Sequence, residues 1–378
     1  MACLFSLFGQ AASQPTVEWE KGYSGGRVFI GKVDEEGNLY STGFTNDAYW
    51  TRDVLILKTA QDGRVLWYHT IAGNGRLELG VDVEPDGRGN VYALARQTSP
   101  GGNATNFLTM KFSRTGQLLW SQSYSEGSAT PSDLAVDAQG NCYVTGYTGA
   151  PRKAVTVKYS PSGVLQWAQR FSPGTPEASV TWDVRIDPAG NVVAAGSRET
   201  GQNAREYLVI KYGSSGSQIW VRTYVGAAGW HELWDTALDT AGNIYVTGVS
   251  AGQGTGEDCA TLSLSPQGNQ RWVRRFTGVG TENDNGRAIA VDSSGSVYVL
   301  GYKAAGSSSA PVVLKYNAAS GEQVWSKSFG PQTGTASPLA LALGRTGDIH
   351  AVGTYFDELD GSPASVLARI SPDGLTAV

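Results

Sequence analysis

A unit of about 50 residues recurs seven times along the chain, and this repeat constrains the fold more than any other feature. Each copy contains a residue that is usually Asp, two turn residues, a Gly-Asn pair or a close equivalent, and an alternating strand that usually ends in Gly. The first copy runs from Asp34 to Gly43. The turn glycines of successive copies are 50 to 53 residues apart: Gly37, Gly89, Gly140, Gly190, Gly242, Gly295 and Gly347. A fixed period of this length predicts one supersecondary unit that is copied along the chain.

The turn in each copy has a direct chemical explanation. The Asp carboxylate can accept hydrogen bonds from nearby backbone amides, and Gly supplies the positive φ that closes a short hairpin. The acidic residues do not alternate at the first, third and fifth positions that a calcium-binding loop requires. We therefore interpret the Asp-x-x-Gly-Asn segment as a structural turn rather than a calcium site.

A second hairpin completes each unit. Residues 107–124 alternate apolar and polar side chains on both sides of a turn at Gly116, with Lys111 on one strand and Trp120 on the other. Glycine supplies 49 of the 378 residues and charged residues only 17%, as expected of many strands joined by tight turns. Four strands in each of seven units predict an all-β chain that forms a seven-bladed β-propeller with four antiparallel strands per blade.

The two ends of the chain predict how the propeller closes. The last copy, which ends at residues 367–378, has no strand with a Trp after its turn, whereas residues 17–23 around Trp19 match residues 119–124. We expect this N-terminal strand to complete the last blade and close the ring through backbone hydrogen bonds. The predicted organisation is an apolar leader or docking tail at residues 1–14 and one propeller domain at residues 15–378.

The repeat resembles the bacterial SBBP, or delta-60, type of β-propeller repeat in its Asp-x-x-Gly-Asn-x-Tyr-x-x-Gly core and its Lys-x-x-x-x-Gly-x-x-x-Trp return. The resemblance covers nearly the whole chain, with departures at Ser263 and Gly344. It implies an extracellular or surface protein and brings no catalytic residue. The Gly-x-x-x-Trp return is also similar to the repeats of quinone-dependent alcohol dehydrogenases, but we identify none of their cofactor ligands here and expect no cofactor.

Charge and the N-terminal segment bear on partners and location. A net charge of −5 leaves no basic stripe for phosphates, so we expect no nucleic-acid partner.

Cys3, Cys142 and Cys259 fit neither a disulfide framework nor a zinc site. Residues 1–14 are apolar and then small, like the end of a secretory leader, although they lack a basic start. We expect an extracellular, periplasmic or cell-surface protein, with membrane contact only through residues 1–14 and a lipid on Cys3 as one alternative.

Most tryptophans follow the repeat. Seven fall on the fourth strand of their units and are expected to fill gaps between neighbouring blades: Trp19, Trp67, Trp120, Trp167, Trp220, Trp272 and Trp325. The other four, Trp50, Trp182, Trp230 and Trp234, lie in or beside loops that propeller geometry gathers on one face. A recurring lysine is interpreted as a solvent-exposed strand position: Lys58, Lys111, Lys158, Lys211 and Lys315.

Acidic residues accompany these four tryptophans and define the candidate ligand site. Asp133, Asp183 and Asp235 occupy one column four residues before the turn Asp, with Glu78, Asp284 and Arg287 close by. We expect the ligand-binding residues at the mouth of the central channel to be Trp50, Trp182, Asp183, Trp230, His231, Glu232, Trp234 and Asp235. Aromatic faces beside carboxylates suit sugar rings or a cation.

Structural roles for these residues remain open alternatives. Trp182 and Trp234 share the strand parity of apolar residues, so both also fit a position wedged between blades. The aspartates of the column also fit as caps of backbone amides in adjacent blades.

Nucleophilic or metal-dependent catalysis is not supported. The three histidines, His69, His231 and His350, are scattered over three blades and supply neither a triad nor a metal site. We therefore expect a binding or scaffold propeller rather than an enzyme, with a glycan, a peptide or a partner protein as the ligand. One alternative is a lyase or hydrolase that uses His231 with Asp183 or Asp235, or a pair of carboxylates, as acid and base. A second is a structural subunit that inserts its leader into a partner or a lipid.

Overall fold

The computed structural model describes residues 26–46, 52–72, 78–98, 104–172, 174, 178–201, 204–227, 229–278, 282–306, 308–330, 334–344, 346–356 and 363–374. Within these ranges the chain forms 27 β-strands in seven antiparallel sheets and no helix, so no helix in this part of the chain is available to span a membrane. The seven sheets are the predicted seven blades. Within each blade, strands that follow one another in sequence are hydrogen-bonded neighbours. Each strand therefore returns through a short hairpin to lie beside the one before it.

The first of two compact units, residues 1–171, contains blades 1 to 3. Its strands are β1 (Gly26–Val33), β2 (Leu39–Asn46), β3 (Arg52–Thr59) and β4 (Val65–Ile71) in blade 1, β5 (Leu79–Pro85), β6 (Val91–Thr98), β7 (Thr105–Phe112) and β8 (Leu118–Tyr124) in blade 2, and β9 (Ala129–Val136), β10 (Cys142–Thr148), β11 (Lys153–Tyr159) and β12 (Leu165–Phe171) in blade 3.

The second unit, residues 172–378, contains blades 4 to 7. Its strands are β13 (Ser179–Ile186), β14 (Val192–Gly201), β15 (Ala204–Tyr212) and β16 (Gln218–Tyr224) in blade 4, β17 (His231–Leu238), β18 (Ile244–Ala251), β19 (Glu257–Leu264) and β20 (Gln270–Phe276) in blade 5, β21 (Asn285–Val291), β22 (Ser296–Ala305), β23 (Ser308–Asn317) and β24 (Gln323–Ser328) in blade 6, and β25 (Thr335–Leu343), β26 (Ile349–Phe356) and β27 (Pro363–Ile370) in blade 7. The N-terminal strand predicted to complete blade 7, like the segment 1–14 and Trp50, lies outside the described residues.

The predicted turn chemistry is confirmed at the first hairpin of the blades. In blade 4, the Oδ1 atom of Asp187 accepts hydrogen bonds from the amides of Ala189 and Asn191, and its Oδ2 atom accepts one from the Asn191 side chain. Gly190 has a φ of +79°, a conformation that favours glycine. The repeated Asp therefore holds the turn through these hydrogen bonds.

The predicted tryptophan column is confirmed as a contact between blades for five of its seven members, and Trp19 lies outside the described residues. Trp272 of blade 5 is buried and donates its indole N–H to the carbonyl of Ala318 in blade 6 at 3.0 Å. A Cβ atom added to Gly321 of blade 6 would lie 2.5 Å from the Trp272 ring, so only glycine lets the ring pack this closely. Trp67, Trp120, Trp220 and Trp325 make the same contact with the next turn in their own units.

None of the five lysines is fully exposed, so the prediction of a solvent-exposed position was wrong: Lys58, Lys111 and Lys211 are buried, and Lys158 and Lys315 are half-buried. Lys58, Lys111 and Lys211 have between 2% and 7% of their surface exposed. Lys211 illustrates how its charge is accommodated, because its Nζ atom lies 2.7 Å from Asp187 Oδ2 and donates to the carbonyl of Pro266 in the next blade at 3.0 Å. Strand parity correctly places these lysines on one side of the sheet. It does not reveal that the next blade covers that side.

One structural feature positions the candidate site. The first strand of every blade contains a β-bulge against the second strand, and the bulged residue is Phe29, Val81, Ser132, Trp182, Trp234, Arg287 or Leu339. A bulged residue leaves the ladder and redirects its side chain. The backbone geometry therefore repeats in all seven blades, whereas the side chain that it presents changes from blade to blade.

Candidate functional site

Three consecutive bulges of the second unit carry large side chains that contact one another. The rings of Trp182 in blade 4 and Trp234 in blade 5 lie 6.1 Å apart between centroids, inclined by 31°. The guanidinium of Arg287 in blade 6 lies 4.4 Å from the centroid of the Trp234 ring. We call Trp182, Trp234 and Arg287 the bulge row. Cation–π attraction and ring contact hold this row in one arrangement.

The bulge row is half-buried. The sequence left open whether its tryptophans are exposed or wedged between blades, and the structure places them between these two alternatives. Trp182, Trp234 and Arg287 are neither fully buried nor fully exposed. The Nε1 atom of Trp234 is screened from bulk solvent and has no hydrogen-bond acceptor among the described residues. In blade 7 the same position holds Leu339, which is 59% exposed. The bulge position of the second unit is therefore able to present a side chain to solvent.

The carboxylates that follow the bulges form an ion-paired cluster. Arg185 Nη2 lies 2.7 Å from Asp183 Oδ1 and 3.1 Å from Asp235 Oδ1, so one guanidinium bridges two blades. The other oxygen of Asp235 accepts a hydrogen bond from the amide of Ile289 in blade 6 at 2.8 Å. Asp235 therefore caps a backbone amide of the adjacent blade, which is the structural alternative raised from the sequence. Arg185 was not among the predicted site residues.

The same capping occurs in the first unit at a residue that the sequence analysis missed. Asp82 occupies the column of Asp133, Asp183 and Asp235, and its Oδ2 atom accepts a hydrogen bond from the amide of Leu134 in the next blade at 3.3 Å. Lys32 lies 3.5 Å from the same carboxylate. The position four residues before the turn Asp86 was a sufficient signal to find Asp82.

Trp230 and Glu232 belong to a second cluster at the start of β17. The guanidinium of Arg205 lies 3.9 Å from the Trp230 ring centroid, and its Nη1 atom is 2.9 Å from Glu232 Oε1. Trp230 donates its indole N–H to Glu232 Oε2 at 3.2 Å. With about 3.3 Å of rise per residue, Trp230 and Trp234 lie roughly 13 Å apart along the strand. The run from Trp230 to Asp235 therefore contributes to this second cluster at one end and to the bulge row and its ion pairs at the other. Arg205 was not among the predicted site residues.

His231 is buried within a hydrogen-bond network. None of its surface is exposed, its Nδ1 atom lies 2.8 Å from Ser250 Oγ, and its Nε2 atom lies 2.8 Å from the carbonyl of Ala227. Arg275 donates to the same Ser250 hydroxyl at 2.7 Å. Burial lowers the pKa of His231, which favours the neutral ring. Both ring nitrogens are thus engaged with Ser250 and Ala227 rather than with Asp183 or Asp235.

Glu78 and Asp284, which the sequence placed near the site, are also engaged with backbone amides. Glu78 is 1% exposed and accepts hydrogen bonds from the amide of Thr98 at 3.1 and 3.2 Å. Asp284 is 1% exposed and accepts one from the amide of Ala304 at 2.8 Å. Burial raises the pKa of both carboxyls. These contacts stabilise the ends of the hairpins.

Comparison with known proteins agrees with this fold. A family model described as the SBBP β-propeller repeat matches residues 271–302, which extend from the fourth strand of blade 5 into the second strand of blade 6. A search of curated protein sequences found no significant match. The sequence repeat is therefore offset from the structural blade.

Solved structures of propellers resemble the chain in fold. An ulvan lyase of polysaccharide lyase family PL25, bound to -[GlcA(1-4)Rha3S]-, is 10% identical, with 94% of this chain and 93% of that chain covered and a TM-score of 0.57. A europium-containing methanol dehydrogenase is 10% identical, with 91% and 77% covered and a TM-score of 0.54.

The β-propeller domain of the Trilobed protease from Pyrococcus furiosus is 8% identical, with 92% and 94% covered and a TM-score of 0.53. Identities this low establish the fold and leave the activity open. Together with the matched repeat and the seven sheets, they show that the chain is a β-propeller repeat protein with seven blades and a recognisable SBBP repeat.

Proposed function

We propose that the protein is a binding propeller that holds an acidic carbohydrate at the bulge row. The observation that carries this proposal is the contact of Trp182, Trp234 and Arg287 with one another at one repeated bulge position in three consecutive blades. Other blades form the same bulge with Val81, Ser132 or Leu339. The fold therefore does not require two tryptophans and an arginine at this position. These side chains can serve binding instead.

The chemistry of the row favours a sugar that carries a carboxylate or a sulfate. Indole rings contact the apolar face of a pyranose. No carboxylate of the described residues is paired with Arg287, which stands over the Trp234 ring. A guanidinium in this position can donate two parallel hydrogen bonds to a carboxylate or a sulfate.

The ion pairs nearby support binding rather than catalysis. Asp183 and Asp235 are bridged by Arg185, and His231 is buried with both ring nitrogens engaged. A general acid or base must reach the substrate, and these groups are committed to contacts within the protein. The ulvan lyase of similar fold was solved with a uronate-containing saccharide, which supports only that a propeller of this kind can accommodate such a ligand.

The test compares binding of acidic and neutral polysaccharides to the wild type and to two variants of the row. Arg287→Gln removes the charge and Trp234→Leu removes the ring. The matched control is Leu339→Gln, which changes the same bulge position in blade 7. Loss of one charge-assisted hydrogen bond weakens binding roughly tenfold or more. We expect that loss in Arg287→Gln with a uronate or sulfated polymer, a loss in Trp234→Leu because the ring contact with the sugar is removed, and none in the control.

Thermal unfolding of the three variants separates binding from folding. Equal melting temperatures with selective loss of acidic-glycan binding support the bulge row. Unchanged binding in Arg287→Gln and Trp234→Leu, or preference of the wild type for neutral polymers, overturns the proposal. Release of new reducing ends from the polymer by the wild type would show catalysis instead of binding alone.

A further inference from the structure

A cleft of about 220 Å³ lies at the interface of blades 4 and 5 within the second unit. Its floor consists of buried apolar and aromatic side chains: Tyr207, Val209, Val246, Leu262 and Leu264. Its mouth consists of exposed polar residues: Arg222, Thr223, Asn269 and Gln270. An apolar floor below a polar mouth is the usual composition of a small-molecule site.

The cleft lies where the repeat loses an aromatic ring. The last residue of the third strand is Phe112 in blade 2, Tyr159 in blade 3 and Leu264 in blade 5, and each lies opposite the start of the fourth strand. Phe112 packs against Trp67 of the preceding blade with 6.0 Å between centroids, and Tyr159 packs against Trp120 at the same distance. In blade 5 the ring is replaced by the smaller Leu264.

In the second unit the equivalent position holds a ring in blade 6, Tyr316, and an aliphatic side chain in blade 7, Ile370. Tyr316 packs against Trp272 of blade 5 with 6.2 Å between centroids. Between blades 4 and 5, Leu264 belongs to the apolar core with Trp220 and also lines the cleft. The cleft therefore adjoins the position at which blades 2, 3 and 6 place an aromatic ring against the tryptophan of the preceding blade.

The mouth of the cleft carries a positive charge. Arg222 occupies the position that His69 has in blade 1: its Nε atom donates to the carbonyl of Gly268 at 2.9 Å, as the His69 ring contacts Gly116. Its Nη1 atom donates to the carbonyl of Val221. Among the described residues no carboxylate is paired with Arg222. A ligand with a ring in the cleft and an anionic group at its mouth is complementary to this arrangement.

We propose that this cleft binds a small aromatic carboxylate, with its ring on Leu264 and its carboxylate on Arg222. The volume is sufficient, because an apolar cavity of about 150 Å³ accepts a benzene molecule. The ligand supplies to this interface the ring that Phe112, Tyr159 and Tyr316 supply elsewhere. The site is separate from the bulge row and does not depend on the carbohydrate proposal.

The test measures binding of benzoate and of uncharged benzamide by NMR titration of the full chain. We expect saturable binding of benzoate and weaker binding of benzamide to the wild type. Arg222→Gln should weaken benzoate by roughly tenfold and leave benzamide nearly unchanged, since a charge-assisted hydrogen bond is lost. Leu264→Phe fills the cleft with the ring of the other blades and should abolish binding of both probes.

Two further variants make the result decisive. Leu264→Met conserves volume and should retain binding, because such exchanges perturb a core least. Trp234→Leu should leave benzoate binding unchanged, which separates this site from the bulge row. Absence of saturable benzoate binding at millimolar concentration, or unaltered binding in Leu264→Phe with a wild-type or higher melting temperature, overturns the proposal.

Discussion

Arg271 donates a hydrogen bond from its Nη1 atom to the hydroxyl of Ser263 at 3.1 Å. The same nitrogen donates to the Tyr245 hydroxyl and to the carbonyl of Ala318 in the next blade, both at 3.2 Å. In blade 4 the corresponding contact with the next blade is made by Lys211 from the third strand. The cation of blade 5 thus comes from the fourth strand and compensates for Ser263, where the repeat lacks its lysine.

This compensation predicts a coupling between positions 263 and 271. Arg271→Ala should lower the free energy of unfolding by about 1.5–3 kcal/mol, because hydrogen bonds from a charged group are lost. Ser263→Lys in that background should recover part of the loss, whereas Ser263→Lys in the wild type places two cations together and should destabilise. Urea unfolding of the four proteins gives the coupling energy. If the two substitutions changed the free energy of unfolding additively, Arg271 would not be compensating for the missing lysine at position 263.

The contact between Gly321 and Trp272 predicts that alanine substitution destabilises the protein more at Gly321 than at Gly295, another turn glycine of blade 6. Gly321 and Gly295 have φ values of +69° and +82°, so alanine is strained by about 1–2 kcal/mol at both. An added Cβ meets no atom within 4 Å at Gly295, whereas at Gly321 it meets the Trp272 ring. Gly321→Ala should therefore cost a further 1–3 kcal/mol or so from overpacking. Equal losses in the melting temperature of the two variants would refute the steric explanation.

The ion pair of Lys211 and Asp187 predicts loss of stability in acid. Burial alone raises the pKa of Asp187, but hydrogen bonds from Lys211 and Asn191 outweigh it and lower the pKa below its ordinary value. The stabilising contribution is therefore complete above the unfolded pKa of about 3.9 and is lost as the pH falls through the folded pKa.

Lys211→Met tests this contribution. The change leaves a buried carboxylate without its cation and should lower the free energy of unfolding near neutral pH by about 3–5 kcal/mol. The variant should also lose less stability than the wild type between pH 5 and pH 2 (approximate limits set by the carboxyl pKa). Parallel pH profiles of the two proteins in denaturant unfolding would contradict this role of the pair.

His231 predicts a pH effect at milder acidity. Burial lowers its pKa below the ordinary value of about 6.5, helped by the charge of Arg275, while the hydrogen bond with the Ala227 carbonyl and the charge of Glu206 act in the opposite direction. The neutral ring is the form that the fold accepts. Stability is therefore full above about pH 6.5 and declines as the pH falls through the folded pKa.

The matched variant is His231→Gln, which cannot titrate. It should be less stable than the wild type at pH 7, because the contacts with Ser250 and Ala227 are weakened, but its stability should change less between pH 7 and pH 5. Thermal unfolding across this interval measures the difference. An equal slope in both proteins would show that His231 is not the titrating group.

Features that depend on residues close in sequence were predictable. Asp187, Gly190 and Asn191 lie within one turn, so their hydrogen bonds follow from turn chemistry alone. The position of Trp272 between blades was predictable from its place in the repeat. The burial of Lys211 was not, because its environment is formed by Pro266, which is 55 residues away in sequence.

The candidate site was only partly predictable for a related reason. The sequence identified Trp182 and Trp234 but left open whether they face solvent or a neighbouring blade. A β-bulge decides their direction, and no residue type marks it, since the bulged position also accepts Val81, Ser132 and Leu339. Bulges arise from the fit between two strands, not from one of them.

The sequence by itself determined the seven-blade architecture. The same turns and the same alternation recur seven times with a period of 50 to 53 residues, so the same four-stranded unit forms seven times. Only the tertiary structure decided which side chains meet. The stacking of Arg287 on Trp234, the replacement of a lysine by Arg271 and the cleft beside Leu264 all join consecutive blades. Such contacts join residues that are about one repeat apart in sequence, and packing of one blade on the next brings them together.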